Sequence, residues 1–353
     1  MQKIAYIPYH FNPSFDPRNV LLYGKLKNIK INNFYDDKDC DILILPPTYD
    51  PTNLEIFKNK NFKVVYYLCD DYLAYSTFSI KNILRGLLYF MTGKSKNITF
   101  NYKQCQINLL KLCDAIICSS THQKNNIEKF NKNCYVFFEG NFHVSKSIVE
   151  KQKTKEFKIV WEGRSENLIH LAVFRDVFQK IVKNYKVELH IITDLTYPLF
   201  YKYFYLSSVK KIKKIFGNLY EENIIKKNTN IYLYQWSINT VSTLLKSCDI
   251  SIIPLDKNNT LAIGKSSNKL IHMLRNKLPT LSTNIQSYKN VYKEIGIDFS
   301  CKDTNEWVEK ITRLIDDKSL IEEFTNRSSN LVNNKYSESK FILQWDNLID
   351  NLS

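Results

Sequence analysis

The sequence predicts an α/β protein made of two successive parallel-sheet domains, each with helices on its sheet faces. Three observations carry that expectation. Short apolar, β-branched runs alternate with segments of helical periodicity along most of the chain, the rhythm of parallel strands joined by crossover helices. The rhythm breaks once, between Glu139 and Glu156, into a polar, lysine-rich linker, and then restarts. At 353 residues, 44% hydrophobic and 24% charged, the chain is long enough to bury two cores of ordinary size. The expected domains are residues 1–146 and 147–335, followed by a C-terminal helical segment, 336–353.

In the first half, Lys3–Pro8, Asp41–Leu45, Phe62–Leu68, Asp114–Cys118 and Cys134–Phe138 read as strands, because each is a short apolar run bounded by polar or turn residues. A helix begins near Pro17-Arg18, where proline suits the first turn, with Val20, Leu21 and Leu26 apolar. Ser119-Ser120-Thr121 caps another after Cys118. His10 and Arg18 flank the loop after the first strand, and Asp70 and Asp71 follow the third. Loops at the carboxyl ends of parallel strands line the ligand crevice, which makes these four residues candidates for a site. Surface roles for His10 and Arg18, and helix capping for the aspartates, are the competing readings. Residues Ser79 to Gly93 are apolar at Ile80, Ile83, Leu84, Leu87, Leu88, Phe90 and Met91, with Lys81, Arg85, Lys94 and Lys96 nearby. That pattern fits a basic amphipathic helix able to lie on an anionic membrane surface. Core packing explains it too and is the favoured reading.

In the second half, Lys158–Trp161, Val187–Thr193, Ile231–Tyr234, Ile250–Pro254 and Ile297–Ser300 read as strands. The first runs into the turn Glu162-Gly163-Arg164-Ser165, where Gly163 lets the backbone turn tightly beside a ligand and Arg164 offers a planar fork to phosphate oxygens. A helix follows, with Leu168, Leu171, Ala172, Val177, Phe178 and Ile181 on its buried side. Asp194 ends the next strand, and Trp236 lies just past the one after, where its ring can stack on a base or simply pack. Lys210, Lys211, Lys213 and Lys214 read as the solvated face of an exposed helix. From Thr304 onward the pattern is helical, with Trp307, Ile311, Phe324, Phe341 and Trp345 among the residues facing inward.

The most informative stretch runs from Cys248 to Thr283. A strand closed by Pro254 leads through the polar loop Asp256–Asn259 to a helix that Ser266 or Ser267 can cap and Leu278-Pro279 stops. Leu270, Ile271, Met273 and Leu274 form its buried stripe. Lys265 and Lys269 stand one helical turn apart, so both ammonium groups can point at one spot beside free backbone N–H groups. Such a spot suits a diphosphate. A solvated lysine face is the alternative that spacing alone allows.

Composition narrows the partners. The formal charge of +15 asks for an acidic one: nucleic acid, anionic lipid or a phosphorylated metabolite. The Lys and Arg residues are dispersed and no nucleic-acid motif accompanies them, so nucleic acid is not expected. The eight cysteines include no Cys-x-x-Cys pair and read as reduced thiols rather than a disulfide framework or zinc site. With no signal-peptide pattern and no apolar stretch near twenty residues, a cytoplasmic location is expected.

The second half then carries a more specific signature in Ile159-Val160-Trp161-Glu162-Gly163-Arg164, Trp236, Cys248-Asp249-Ile250-Ser251-Ile252-Ile253-Pro254-Leu255 and Lys265-Ser266-Ser267-Asn268-Lys269-Leu270 leading to Leu278-Pro279. Together these resemble the donor-binding domain of GT-B glycosyltransferases, specifically the bacterial retaining (family 4-like) enzymes of capsule and lipopolysaccharide synthesis. The likeness covers residues 158–335; the first half matches in layout. It implies two Rossmann-like domains facing each other across a cleft, with the C-terminal helix packing back toward the first. It also implies transfer of a sugar from a nucleotide-diphosphate donor to a saccharide or lipid-linked acceptor, with retention of configuration and no metal or other cofactor.

By the same resemblance Arg164 and Lys269 stabilise the departing diphosphate. Gly163, Lys265, Ser266, Ser267 and Asn268 complete its cradle, Trp236 and Asp194 belong to the donor pocket, and His272 reaches the ribose. His10, Arg18, Asp70 and Asp71 face the acceptor. An anionic inner-membrane surface, where lipid-linked acceptors lie, is the further partner, and the location becomes cytoplasmic and peripheral. The chain departs from its relatives in three places. Lys265 and His272 occupy positions of two family glutamates, Lys277 stands where a glycine is expected, and Tyr9 to Asp16 lacks the glycine-rich loop. Another nucleotide-sugar enzyme on the same scaffold, an epimerase or phosphoryl-group transferase, is the alternative, and a basic nucleic-acid-binding protein a weaker one.

Overall fold

The computed structural model describes residues 2–8, 20–58, 60–70, 73, 80–142, 155–199, 204–217, 219, 230–258 and 260–353. The chain forms two compact units. The first holds Met1–Phe142, Asn259–Asn268 and Tyr336–Ser353, and the second His143–Asn258 and Lys269–Lys335.

In the first unit six parallel strands stand in the order β2-β1-β3-β4-β5-β6. They are β1 (Ile4–Tyr6), β2 (Asn32–Asn33), β3 (Ile42–Leu45), β4 (Lys63–Leu68), β5 (Ala115–Cys118) and β6 (Cys134–Val136). Side chains alternate along a strand, so a sheet covered on both faces feeds two cores from each apolar run. Leu43, Leu45, Val64, Tyr66 and Ile116 join Leu109 and Leu110 in one core. Ile42, Ile44, Val65, Tyr67 and Ile117 join Val20, Phe341, Trp345 and Leu348 in the other. Val20 opens α1 (Val20–Lys27), and the last three lie on the helix Glu338–Leu352. The short segment Asn259–Asn268 is tied into this unit by the Ser120 hydroxyl, which donates to the Gly264 carbonyl at 2.9 Å, and by the Glu139 N–H, which donates to Asn268 Oδ1 at 3.1 Å. One expectation fails here. On α2 (Ile80–Met91), Leu84, Leu88, Phe90 and Met91 are exposed, so these side chains do not pack in a core.

The second unit has a six-stranded parallel sheet in the order β11-β8-β7-β12-β13-β14 and a separate antiparallel hairpin, β9–β10. Its strands are β7 (Phe157–Glu162), β8 (Val187–Thr193), β9 (Thr196–Leu199), β10 (Phe204–Ser207), β11 (Asn230–Gln235), β12 (Ile250–Ile253), β13 (Thr280–Thr283) and β14 (Ser300–Cys301). From β7 the chain works outward through β8 to β11, then returns to β12 on the other side of β7. The pair β7–β12 is therefore the point where strand order reverses, and ligands of such sheets bind outside the carboxyl ends of strands at that point.

After β7 the expected α-helix is instead a 3₁₀ segment, Ser165–Phe174, followed by the α-helix Arg175–Ile181. The burial explains it. Ser165, Leu168, Leu171, Phe174 and Val177 are buried at a strict interval of three, the period of a 3₁₀ turn. On that period Ala172, expected inside, faces out, as do Ile169 and Val173.

The helix Asn268–Arg275 ends in a Schellman motif: the Leu278 N–H donates to the Met273 carbonyl at 3.2 Å and the Lys277 N–H to the Leu274 carbonyl at 2.9 Å. This closure puts Lys277 at φ 56°, in the left-handed region where a Cβ is unfavourable. Lys277→Gly is therefore expected to stabilise the second unit by about 0.5–1 kcal/mol, read as a raised melting temperature. An unchanged or lowered value would show that the lysine side chain supplies a compensating contact. Among the described residues, no helix is long and apolar enough to cross a membrane.

Candidate active site

Because the second sheet is parallel, the carboxyl ends of β7, β8, β11 and β12 share one edge. The loop after β12 is pinned there. The Leu255 N–H donates to Thr283 Oγ1 at 2.7 Å, and the Asp256 N–H donates to His170 Nδ1 at 3.1 Å. The chain then enters the helix Asn268–Arg275, whose second residue is Lys269.

Lys269 meets the end of β7. Its Nζ lies 3.7 Å from Glu162 Oε2 and 4.9 Å from the centre of the Trp161 ring, held by an ion pair and a cation–π contact together. Burial lowers the Lys269 pKa below the ordinary 10.5, and the Glu162 carboxylate works against that shift. Gly163 makes the approach possible: a Cβ there would stand 2.7 Å from Lys269 Nζ and 2.9 Å from Trp161 Cζ2. The result is a partly desolvated cation on an aromatic wall beside the strand-order reversal, opposed by the Glu162 carboxylate.

Next to it, Arg164 is exposed, with Nη2 3.2 Å from Glu166 Oε1. Burial raises the Asp194 pKa, and the Arg164 charge opposes the rise. Lys211, on the helix Ser208–Phe216, donates to the Ser165 carbonyl at 3.0 Å and the Glu166 carbonyl at 3.3 Å. Burial lowers its pKa, and Glu166 opposes that. It is therefore not the solvated lysine the sequence suggests, because its helix packs against the 3₁₀ segment. Within the second unit the side chains of Ser165 and Thr193 each hold a buried polar atom, Oγ and Oγ1, with no partner among the described residues; in the first unit the same holds for Asn268 Nδ2. Buried groups of this kind are usually satisfied by water or a ligand.

The remaining candidates fall as follows. Ser266 and Ser267 are half-buried in the stretch before the helix. Lys265 also precedes it, so the one-turn spacing to Lys269 is not realised: the helix starts three residues later than that spacing requires. His272 is buried on the helix, and its carbonyl accepts from Asn276 Nδ2 at 2.9 Å. Trp236 packs against the buried cluster that includes Val160, Ile192 and Met273, and its backbone N–H donates to the Thr193 carbonyl at 2.9 Å. Asp70 is exposed in the first unit, where its carbonyl accepts from Gln123 Nε2 at 2.9 Å. His10, Arg18 and Asp71 lie outside the described residues. Sequence reasoning passed over Glu162 and Lys211, although an acid at a strand's carboxyl end next to glycine was a usable signal for the first. No group of three or more His, Cys, Asp or Glu side chains converges as a metal site would among the described residues.

No family model matches the sequence, and no curated protein matches it. Solved structures do. HepE from Anabaena, in complex with UDP, superposes with a TM-score of 0.64 at 9% identity, covering 99% of this chain and 100% of that one. TarM, known from S. aureus, gives 0.59 at 15% identity over 88% of this chain, which spans only 54% of TarM. WaaG, a glycosyltransferase involved in lipopolysaccharide biosynthesis, gives 0.51 at 11% identity, covering 98% of this chain and 85% of that one. The fold shared with these proteins is the GT-B fold.

Proposed function

We propose that this GT-B chain is a glycosyltransferase, moving a sugar from a nucleoside-diphosphate donor to a saccharide or lipid-linked acceptor in cell-surface polysaccharide synthesis. The carrying observation is the Lys269 ammonium, half-buried over Trp161 at the reversal of strand order, with Gly163 leaving it room. In the reaction the bond from the sugar C1 to the β-phosphate oxygen breaks, and a bond from C1 to the acceptor oxygen forms on the same face. The acceptor proton passes to the departing diphosphate. Charge growing on that diphosphate is met by Lys269, held over Trp161, and by the exposed Arg164, cations that need no metal beside them. Asn268, Ser266, Ser267, Lys265 and the helix N–H groups extend the cradle. Asp194, Trp236 and His272 serve the nucleoside, while His10, Arg18, Asp70 and Asp71 serve the acceptor. HepE and TarM crystallised with UDP, which makes UDP the first nucleotide to try, and the WaaG likeness supports the polysaccharide role.

Calorimetric titration with UDP, GDP, CMP and ADP without metal tests this. One nucleoside diphosphate is expected to bind, with Lys269→Ala weakening it by about 10- to 100-fold, the scale of a lost charge-assisted contact, and Arg164→Ala by less. If no nucleotide binds, or Lys269→Ala binds like wild type, the proposal is wrong. The pH dependence has a definite sign. Lys269 is charged below its pKa, which burial sets under 10.5, so affinity should fall as the solution turns alkaline, at a lower pH than for a surface lysine. Titration at rising pH checks this, and a flat profile in the alkaline range would count against Lys269 as the anion's partner.

A further inference from the structure

We infer that Lys211 is a positioning residue for Arg164: it holds the backbone from which the Arg164 guanidinium reaches the donor diphosphate, a role that rests on the reaction proposed above. Arg164 stands between two anchors. Before it, the Gly163 N–H donates to the Ile192 carbonyl at 3.0 Å, which ties the turn to β8. After it, the Ser165 and Glu166 carbonyls accept from Lys211 Nζ at 3.0 and 3.3 Å. Between these anchors the Asn167 N–H closes back on the Arg164 carbonyl at 2.9 Å, at the start of the 3₁₀ segment. The Arg164 side chain gives little hold of its own. It is exposed, and its pair with Glu166, Nη2 to Oε1 at 3.2 Å, is a surface contact of small worth. Where the guanidinium stands therefore depends on the backbone beneath it, and Glu166 is carried by the same held backbone.

The helix Ser208–Phe216 is built to act as a brace. Ser208, Ile212 and Phe216, at intervals of four, are buried and anchor it. At its start the Ser208 N–H donates to the Leu195 carbonyl at 2.8 Å, and the Ser208 hydroxyl donates to the Asp194 carbonyl. Lys211 lies three residues further on, on the same side of the first turn. One helical turn thus grips the chain just after β8 and the chain just after β7. The backbones that carry Asp194 and Arg164, whose charges act on each other, are held to a single element. Solvation does not explain this lysine. Lys210, Lys213 and Lys214 on the same helix are exposed, whereas Lys211 is half-buried, and burial works against its charge while Glu166 supports it. An apolar side chain would pack there without that desolvation, but it could not donate to two successive carbonyls.

Lys211→Met tests this, because it keeps most of the side chain's length and removes its donors. In the empty protein it should raise hydrogen exchange at the Asn167 amide roughly tenfold or more, while exchange in β8 stays at the wild-type rate. Calorimetric titration with UDP, GDP and ADP reads the consequence. For whichever diphosphate binds wild-type protein, Lys211→Met should weaken binding roughly three- to tenfold, and no further than Arg164→Ala does. Adding Lys211→Met to Arg164→Ala should change nothing more, since a residue that works through Arg164 then has nothing to act on. Equal losses with and without Arg164 would make Lys211 a structural lysine only and overturn the inference. Wild-type affinity or unaltered Asn167 exchange in Lys211→Met would overturn it too. Wild-type protein that binds none of the three diphosphates would remove the proposed reaction and this role together, whereas binding with additive losses removes the role alone.

Discussion

Gly163→Val should abolish or nearly abolish nucleoside-diphosphate binding. Even the first added carbon would lie within 3.0 Å of both Lys269 Nζ and the Trp161 ring. Trp161 is buried in the core and cannot retreat, so the flexible lysine gives way and its ammonium leaves the place from which it would meet the diphosphate. Loss of that contact, worth about 1.5–3 kcal/mol for a charged hydrogen bond, lowers affinity by roughly 10- to 150-fold. Overpacking against Trp161 should also cost about 1–3 kcal/mol of stability. Calorimetry and a thermal melt on the same protein separate these effects. Wild-type affinity in Gly163→Val would mean that the diphosphate, if bound, is bound elsewhere.

The largest loss of stability should come from Trp345→Ala. The indole is almost fully buried in the first unit, 5.7 Å from Tyr23, 6.4 Å from Tyr67 and 5.2 Å from Phe137 between ring centres. Removing so large a side chain from a packed aromatic cluster costs about 3–5 kcal/mol. Trp345→Phe is expected to cost far less, because Trp345 Nε1 has no hydrogen-bond partner among the described residues and its loss leaves nothing unpaired. Hydrogen exchange in β3 to β5 against exchange in the second sheet would read this, since the chain has two units and a single melting curve need not resolve them. Equal losses from Ala and Phe would show that the N–H, not the packing, is what matters.

What could be read in the sequence was whatever burial writes into it. The runs in β3, β4, β5 and β12 are apolar on both faces because both faces are covered, and they were found. β2 is Asn32–Asn33, which pairs with β1 at the sheet edge, and nothing in its composition announces it. The 3₁₀ segment looks α-helical in sequence because Leu168, Leu171, Val177 and Phe178 satisfy either period over a short span. The apolar side chains of α2 illustrate the reverse limit. Their pattern gives a helix with one apolar side, but not what that side faces. At the site, Gly163 and Lys269 were legible as residue types, whereas Glu162, Lys211 and the start of the helix depended on how distant segments meet. Lys277 was legible as an anomaly, a lysine in a glycine's place, and the structure supplies the reason in its left-handed φ.

The make-up of the first unit has a consequence for biosynthesis. Its sheet is finished by residue 136, yet one of its two cores takes Phe341, Trp345 and Leu348 from a helix that follows the entire second unit in sequence. At translation rates of about 5–20 residues per second, the sheet waits roughly ten to forty seconds for those side chains. During that interval Ile42, Ile44, Val65, Tyr67 and Ile117 have lost part of their cover, and the second unit, which needs nothing synthesised after Lys335, can complete itself first. The order of folding on the ribosome is then the reverse of the order of synthesis, and the nascent first sheet is the form of this protein with most reason to engage a chaperone.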